Sequence, residues 1–148
     1  MKKYKKFMLE SNQIEGEHRL NPGDETAVGF ALVGIETLSD ILTLHSFVGM
    51  YLEKRWVGGW RDCDLTVGKY EPPSWKFVPG LMQKYIEDFP ELKSWEAHNR
   101  FEKIHPFQDL NGRVGRLIWL SKAVDEGYDF QIPFLQMYYY QTLGALNE

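Results

Sequence analysis

The sequence predicts a mostly α-helical bundle carrying one β-hairpin flap, and three observations lead there. Apolar residues recur every three or four positions through Val28, Leu32, Ile35, Leu38 and Leu42, and again through Leu81, Met82, Tyr85, Ile86 and Phe89, the spacing that lines one face of a helix. Proline and glycine gather in short segments between these stretches, where they end helices. One segment, GGWRDCDLTVGKYEPP (58–73), differs: paired glycines open it, Leu65 to Tyr70 suits an extended chain, and Pro72-Pro73 forbids helix across its end.

Taken in order, a short helix is expected over 7–17, closed by Gly16 or soon after, and LNPGDE (20–25) reads as a loop with Asp24 as N-cap of the next element. The following helical pattern runs to about Val57 with a break expected near Leu44–Phe47, and the hairpin is expected over 60–73. Helix resumes near Val78, Pro90 separates it from a helix over Glu91–Ile104, another starts at Asn111 or Gly112 and reaches Glu126, and a last one follows Pro133. Trp56, Trp60 and Trp75 are assigned to the core, and His18, His45 and His98 to structural roles.

A length of 148 residues, with 43% hydrophobic and 26% charged, fits a single domain over 1–148 and excludes a disordered tail. Seventeen basic against twenty-one acidic residues argue against a broad surface for nucleic acid. Cys63 is the one cysteine, so no intrachain disulfide forms; with no apolar run long enough to span a membrane and no secretory leader in MKKYKKFML, a reducing cytoplasm is the expected location. The sequence leaves oligomerisation open.

IHPFQDLNGRVGRL (104–117) concentrates the chemistry. Pro106 forces His105 out of the α region, fixing an imidazole at a helix end. Phe107 is the apolar plug that anchors the loop, and Asp109 offers the hard oxygen that Mg²⁺ accepts when phosphates supply its other ligands. Asn111 and Gly112 begin a helix whose unpaired N–H groups suit an anion, Gly112 permits close approach, and Arg113 and Arg116 project from the first turn as phosphate clamps.

HPFQDLNGRVGR resembles the signature of Fic domains, H-x-F-x-D/E-G-N-G-R-x-x-R, departing from it at Leu110 only; AHNRFEKIHPF before it and the 58–73 segment are also similar to that family. The resemblance implies a Fic-like helical bundle and a Mg²⁺-dependent protein adenylyltransferase that moves AMP from ATP to a serine, threonine or tyrosine hydroxyl of a target protein and of itself. It implies His105 as general base, Asp109 as Mg²⁺ ligand, Asn111, Gly112 and Arg113 as the anion cradle, Arg116 as the γ-phosphate clamp, and Thr66, Val67, Gly68, Lys69 and Tyr70 as the target-docking flap. Gly112 stands where the Doc kinases of the same family carry lysine, which sets this chain apart from them.

SNQIEG (11–16) resembles the family's inhibitory motif S/T-x-x-x-E-G/N, with Ser11, Glu15 and Gly16 in its fixed positions, and by resemblance Glu15 pairs with Arg116 where a γ-phosphate belongs. An exposed ion pair contributes roughly 0–1 kcal/mol, so such a brake needs burial and packing of its helix, through Phe7, Met8 and Ile14. Leu110, where the family has glycine, keeps two alternatives open: a Fic-like module that binds nucleotide or protein without transfer, and a transferase for another nucleotide. A positive φ there would cost the leucine on the order of 1 kcal/mol or more.

Overall fold

The computed structural model describes residues 2–128. Six α-helices make up most of it: α1 (Lys2–Ile14), α2 (Asp24–Val33), α3 (Leu38–Gly49), α4 (Val78–Asp88), α5 (Ser94–Ile104) and α6 (Asn111–Asp125), with single 3₁₀ turns at Met50–Leu52, Trp75–Phe77 and Phe89–Glu91. The helix expected after Pro133 lies outside the described residues.

The first helix begins earlier and ends sooner than the 7–17 expected, because Gly16 at φ 83° closes it with the N–H of Glu17 on the Asn12 carbonyl (2.9 Å) and that of Gly16 on the Gln13 carbonyl (3.0 Å). This is the Schellman pattern, and it leaves Glu15 in the turn just past the helix. The next pattern is broken at residues 34–37, not near Leu44–Phe47, which lies inside α3. Gly34 at φ 126° leaves the helix, and Thr37 starts the following one with a capping box, its side chain accepting from the Asp40 N–H while Asp40 accepts from the Thr37 N–H at 2.9 Å. Asp24 is the first residue of α2 rather than its cap, and its carboxylate reaches back to the Asn21 N–H at 2.8 Å.

The expected hairpin over 60–73 shrinks to a single antiparallel pair, Val67 with Tyr70 (2.8 and 2.9 Å), around a Gly68-Lys69 turn. Two of its other backbone carbonyls, those of Cys63 and Pro73, accept from the Arg61 side chain.

α6 is buried on every side, with Val114, Leu117, Ile118 and Leu120 fully enclosed, and it packs against α5, α2, α3 and α1. A helix that is covered all round forms the axis of a core rather than one wall. α5 and α6 run as a helical hairpin: Glu126 ties its far end by accepting from the Ser94 N–H (2.8 Å) and hydroxyl (2.7 Å), and residues 105–110 form the connecting loop. The predicted chemistry therefore sits on a short loop clamped between two packed helices.

Candidate active site

His105 is the C-cap of α5 at φ 52°, ψ 60°, so the proline that follows has moved it into the left-handed region rather than the extended one. Its Nδ1 lies 3.2 Å from the Glu102 carbonyl oxygen, which only accepts; the proton therefore sits on Nδ1 and Nε2 keeps a lone pair. Burial holds its pKa below the usual histidine value, with nearby Arg61 adding to that and the Glu102 carbonyl opposing it, so the imidazole is neutral and able to accept a proton.

The loop after it is fixed by its own side chains. Phe107 is fully buried, as its apolar character predicts, and stacks on His45 at 3.7 Å between ring centres. The Asn111 amide accepts from the Phe107 N–H (2.9 Å) and donates to the Phe107 carbonyl (2.7 Å), so the side chain expected in the anion cradle is occupied in shaping the loop. Asp109 is exposed on the cavity wall, one carboxylate oxygen accepting from the Leu110 N–H at 2.7 Å. Leu110 caps α6 at φ 72°, ψ 12°, with its side chain buried against Gly49 of α3.

A cavity of about 350 Å³ opens between this loop, the turn after α1 and the flap; Glu15, Val67, Tyr70, His105, Asp109 and Gly112 all line it. Small-molecule sites begin at roughly this size. The Glu15 carboxylate lies against the first turn of α6: a Cβ on Gly112 would come within 2.5 Å of its Oε1 and 3.0 Å of Arg116 Nη1. Arg116 is 1% exposed and donates to the Ser11 hydroxyl (2.6 Å), the Ser11 carbonyl (3.0 Å) and Glu15 (2.8 Å). The two arginines do not converge on one point. Arg113 lines the cavity, donates to the Tyr51 hydroxyl at 2.9 Å, and keeps a buried Nε without a hydrogen-bond partner among the described residues, while Arg116 stands behind Glu15.

The flap residue Tyr70 donates to the Lys103 carbonyl at 2.7 Å, docking that segment on α5, while Thr66, Gly68 and Lys69 are exposed.

Three contributors are absent from the motif reading. The Arg61 side chain is fully buried and donates to the carbonyls of His105 (2.7 Å), Ile104 (3.3 Å), Cys63 (2.9 Å) and Pro73, joining both stems of the flap to the end of α5. His45, assigned only a general structural role, spans Gly58 and the loop: it accepts from the Gly58 N–H (2.9 Å), faces the Asp109 carbonyl through Nε2 (3.1 Å), and burial lowers its pKa to about 4. Glu102, one turn before His105, is a buried carboxyl on the cavity wall. No spacing signal marks Arg61 or His45, because their partners are mainly backbone groups brought together by folding, whereas Glu102 stands three residues before His105.

Comparison with known proteins identifies the family. A family model described as Fic/DOC family matches residues 35–120, more than half of the chain. A probable protein adenylyltransferase of Aquifex aeolicus is 30% identical over 106 residues, covering 62% of this chain and 33% of that protein. The protein adenylyltransferase Fic of Drosophila willistoni is 33% identical over 124 residues, covering 76% of this chain and 25% of its own length. This chain thus spans about a quarter to a third of the curated relatives it matches. Among solved structures, a Fic domain containing signaling protein from Bacteroides thetaiotaomicron superposes with a TM-score of 0.65 at 20% identity, over 87% of this chain and 66% of that one, a likeness of fold. A Fic protein from C. elegans gives 0.63 at 25% identity, over 85% and 42%. The chain belongs to the Fic/DOC family.

Proposed function

We propose that this chain, a single domain over 1–148, is a protein adenylyltransferase that moves AMP from ATP to a serine, threonine or tyrosine hydroxyl of a target protein and of itself, and that Glu15 restrains it. The observation that carries the proposal is the position of the Glu15 carboxylate: an anion already rests beside Gly112 and Arg116, in the cavity that His105 lines. Relatives named protein adenylyltransferase support the reaction class.

In the proposed reaction the target lies along the flap by backbone pairing. His105 Nε2 takes the hydroxyl proton; the freed oxygen forms a bond to the α-phosphorus as the bond from that phosphorus to the bridging oxygen breaks, and pyrophosphate leaves with the electron pair. The N–H groups at the start of α6 and the unpartnered Arg113 Nε receive phosphate oxygens, and Gly112 leaves them room. Once Glu15 withdraws, Arg116 is the γ-phosphate clamp that aligns the α-phosphate. Asp109, exposed at the cavity wall, fits Mg²⁺, a cation that takes one or two carboxylates and completes its shell with phosphate and water. That ion would neutralise developing phosphate charge. Leu110 at φ 72° keeps the backbone in the region glycine occupies so readily, which favours a working anion loop over a disabled one.

The test is transfer of label from ATP marked at the α-phosphate, with Mg²⁺, to wild type, Glu15→Gly and Glu15→Gly/His105→Ala. Stronger labelling of Glu15→Gly alone is the expected result. Equal labelling of wild type and Glu15→Gly removes the brake, and labelling that survives His105→Ala removes His105 as the base.

A further inference from the structure

Glu102 is a buried carboxyl for which the reaction above has no role. It lies on α5 one turn before His105, is 8% exposed, and reaches the cavity wall. Its Oε1 has no hydrogen-bond partner among the described residues, and its Oε2 lies 3.9 Å from His105 Nδ1. Gly115 of α6 makes the niche for it, since a Cβ at that position would collide with Glu102 Oε1. A buried carboxyl left without a partner is costly, where an apolar side chain of the same size would pack freely. The charged and titratable groups around it are Glu15 from the turn after α1, Tyr85 from α4, Arg116 from α6 and His105 beyond its own helix. Burial pushes its pKa up to about 7, with Arg116 pulling it down and Glu15 pushing it up, so its charge grows as pH rises through neutral.

Resting on the transferase reading, we propose that Glu102 is a positioning residue for His105: its carboxylate faces the Nδ1 edge of the imidazole, keeps Nε2 turned to the cavity, and offsets the positive charge that His105 acquires on taking the target's proton. The proton itself goes to His105 and stays there; Glu102 exchanges nothing with the substrate. A general base works best when its basicity is near the working pH, and burial lowers that of His105. A carboxylate on its far edge restores basicity without blocking Nε2.

The experiment compares Glu15→Gly with Glu15→Gly/Glu102→Gln, a swap that keeps shape and removes the charge. The His105 imidazole is titrated by NMR without nucleotide, and labelling kinetics follow over pH 6 to 9. The proposal expects the His105 ring signals of Glu15→Gly to show an inflection near neutral pH, from ionisation of Glu102, that the Gln variant lacks, kcat at pH 8 to fall about fivefold or more with little change at pH 6, and KM for ATP to stay within about twofold. Glu102→Asp is expected to restore part of kcat, and it replaces the Gln variant if that one fails to fold. His105 signals that do not respond to the ionisation of Glu102 overturn the proposal, as does a kcat loss equal at pH 6 and pH 8 or a loss carried wholly by KM. If Glu15→Gly transfers no label at all, the transferase reading falls while the NMR titration still decides on Glu102.

Discussion

Leu110 stands where the family pattern has glycine, and replacing it with glycine sets two effects of opposite sign against each other. The backbone is left-handed at φ 72°, which costs an L-residue about 1–2 kcal/mol that glycine avoids. The side chain is 5% exposed and so close to α3 that a Cβ on Gly49 would come within 2.9 Å of its Cδ1. Deleting such a buried leucine down to alanine costs about 2–5 kcal/mol, including the cavity left behind. Burial therefore wins, and Leu110→Gly is expected to destabilise by roughly 1–3 kcal/mol, lowering Tm by about 2–12 °C in a domain of this size. Leu110→Ala loses the same packing and keeps the unfavourable φ, so it is expected to fall below Leu110→Gly by about 1 kcal/mol. Thermal and urea unfolding of the three proteins measure the order directly. A Leu110→Gly protein as stable as wild type would show that strain outweighs packing, and an alanine variant more stable than the glycine one would mean that φ is not positive. Because Leu110 is the N-cap of α6, the glycine variant in the Glu15→Gly background is also expected to transfer label more slowly.

Arg61→Lys removes a planar fork that meets four carbonyl oxygens, so a loss of about 2–4 kcal/mol is expected by urea unfolding, together with lower kcat; unchanged stability would rule out the strut. Stability should fall on the acid side of neutral pH. His45 and His98 have folded pKa values lowered to about 4 against an ordinary value of 6.5, so the stability they lend is complete above 6.5 and is lost as pH falls toward 4. Glu102 is raised from 4.5 to about 7, so the stability linked to it is complete below 4.5 and is lost as pH rises through 7. Thermal melts from pH 4 to 8.5 are expected to show the acid decline, and Glu102→Gln, which removes the opposing trend between 4.5 and 7, to steepen it; an unchanged slope would assign that trend to another group.

How much could be read from the sequence depended on how local each interaction is. The helix boundaries of α4 and α6 followed from proline and glycine punctuation, and the loop chemistry was legible because His105, Phe107, Asp109 and Asn111 are neighbours in the chain. The pairing of Ser11 and Glu15 with Arg116 bridges about a hundred residues, and only the resemblance to a known inhibitory motif pointed to it. Arg61 was silent because its partners are backbone carbonyls, which every residue possesses. The break between α2 and α3 was misplaced because hydrophobic periodicity continues across it through Ile35 and Leu38, while the deciding facts are one glycine dihedral and one capping box. The hairpin was overextended for a related reason. Extended chain was foreseeable, but the choice between a cross-strand ladder and a buried guanidinium as partner for its carbonyls was not.

The geometry also limits how strong the proposed brake is. α1 stays docked without Glu15, because Phe7 and Met8 are buried and the Asn12 amide donates to Asp24 at 2.9 Å and to the Arg19 carbonyl at 3.0 Å. The two Arg116 bonds to Ser11 survive the loss of the Glu15 side chain. A nucleotide therefore has to displace one side chain, not a helix. The bond it must break is charge-assisted, nominally about 1.5–3 kcal/mol, but Glu15 is 39% exposed and water screens the pair, which brings the figure toward about 1–2 kcal/mol. At about 1.4 kcal/mol per factor of ten, Glu15→Gly should raise labelling by roughly tenfold at subsaturating ATP. Saturating nucleotide should close most of that gap, because competition for one anion site is overcome by mass action. A gap that persists at saturating ATP would mean that Glu15 misaligns the phosphates rather than competing with them, and the brake would then act on kcat.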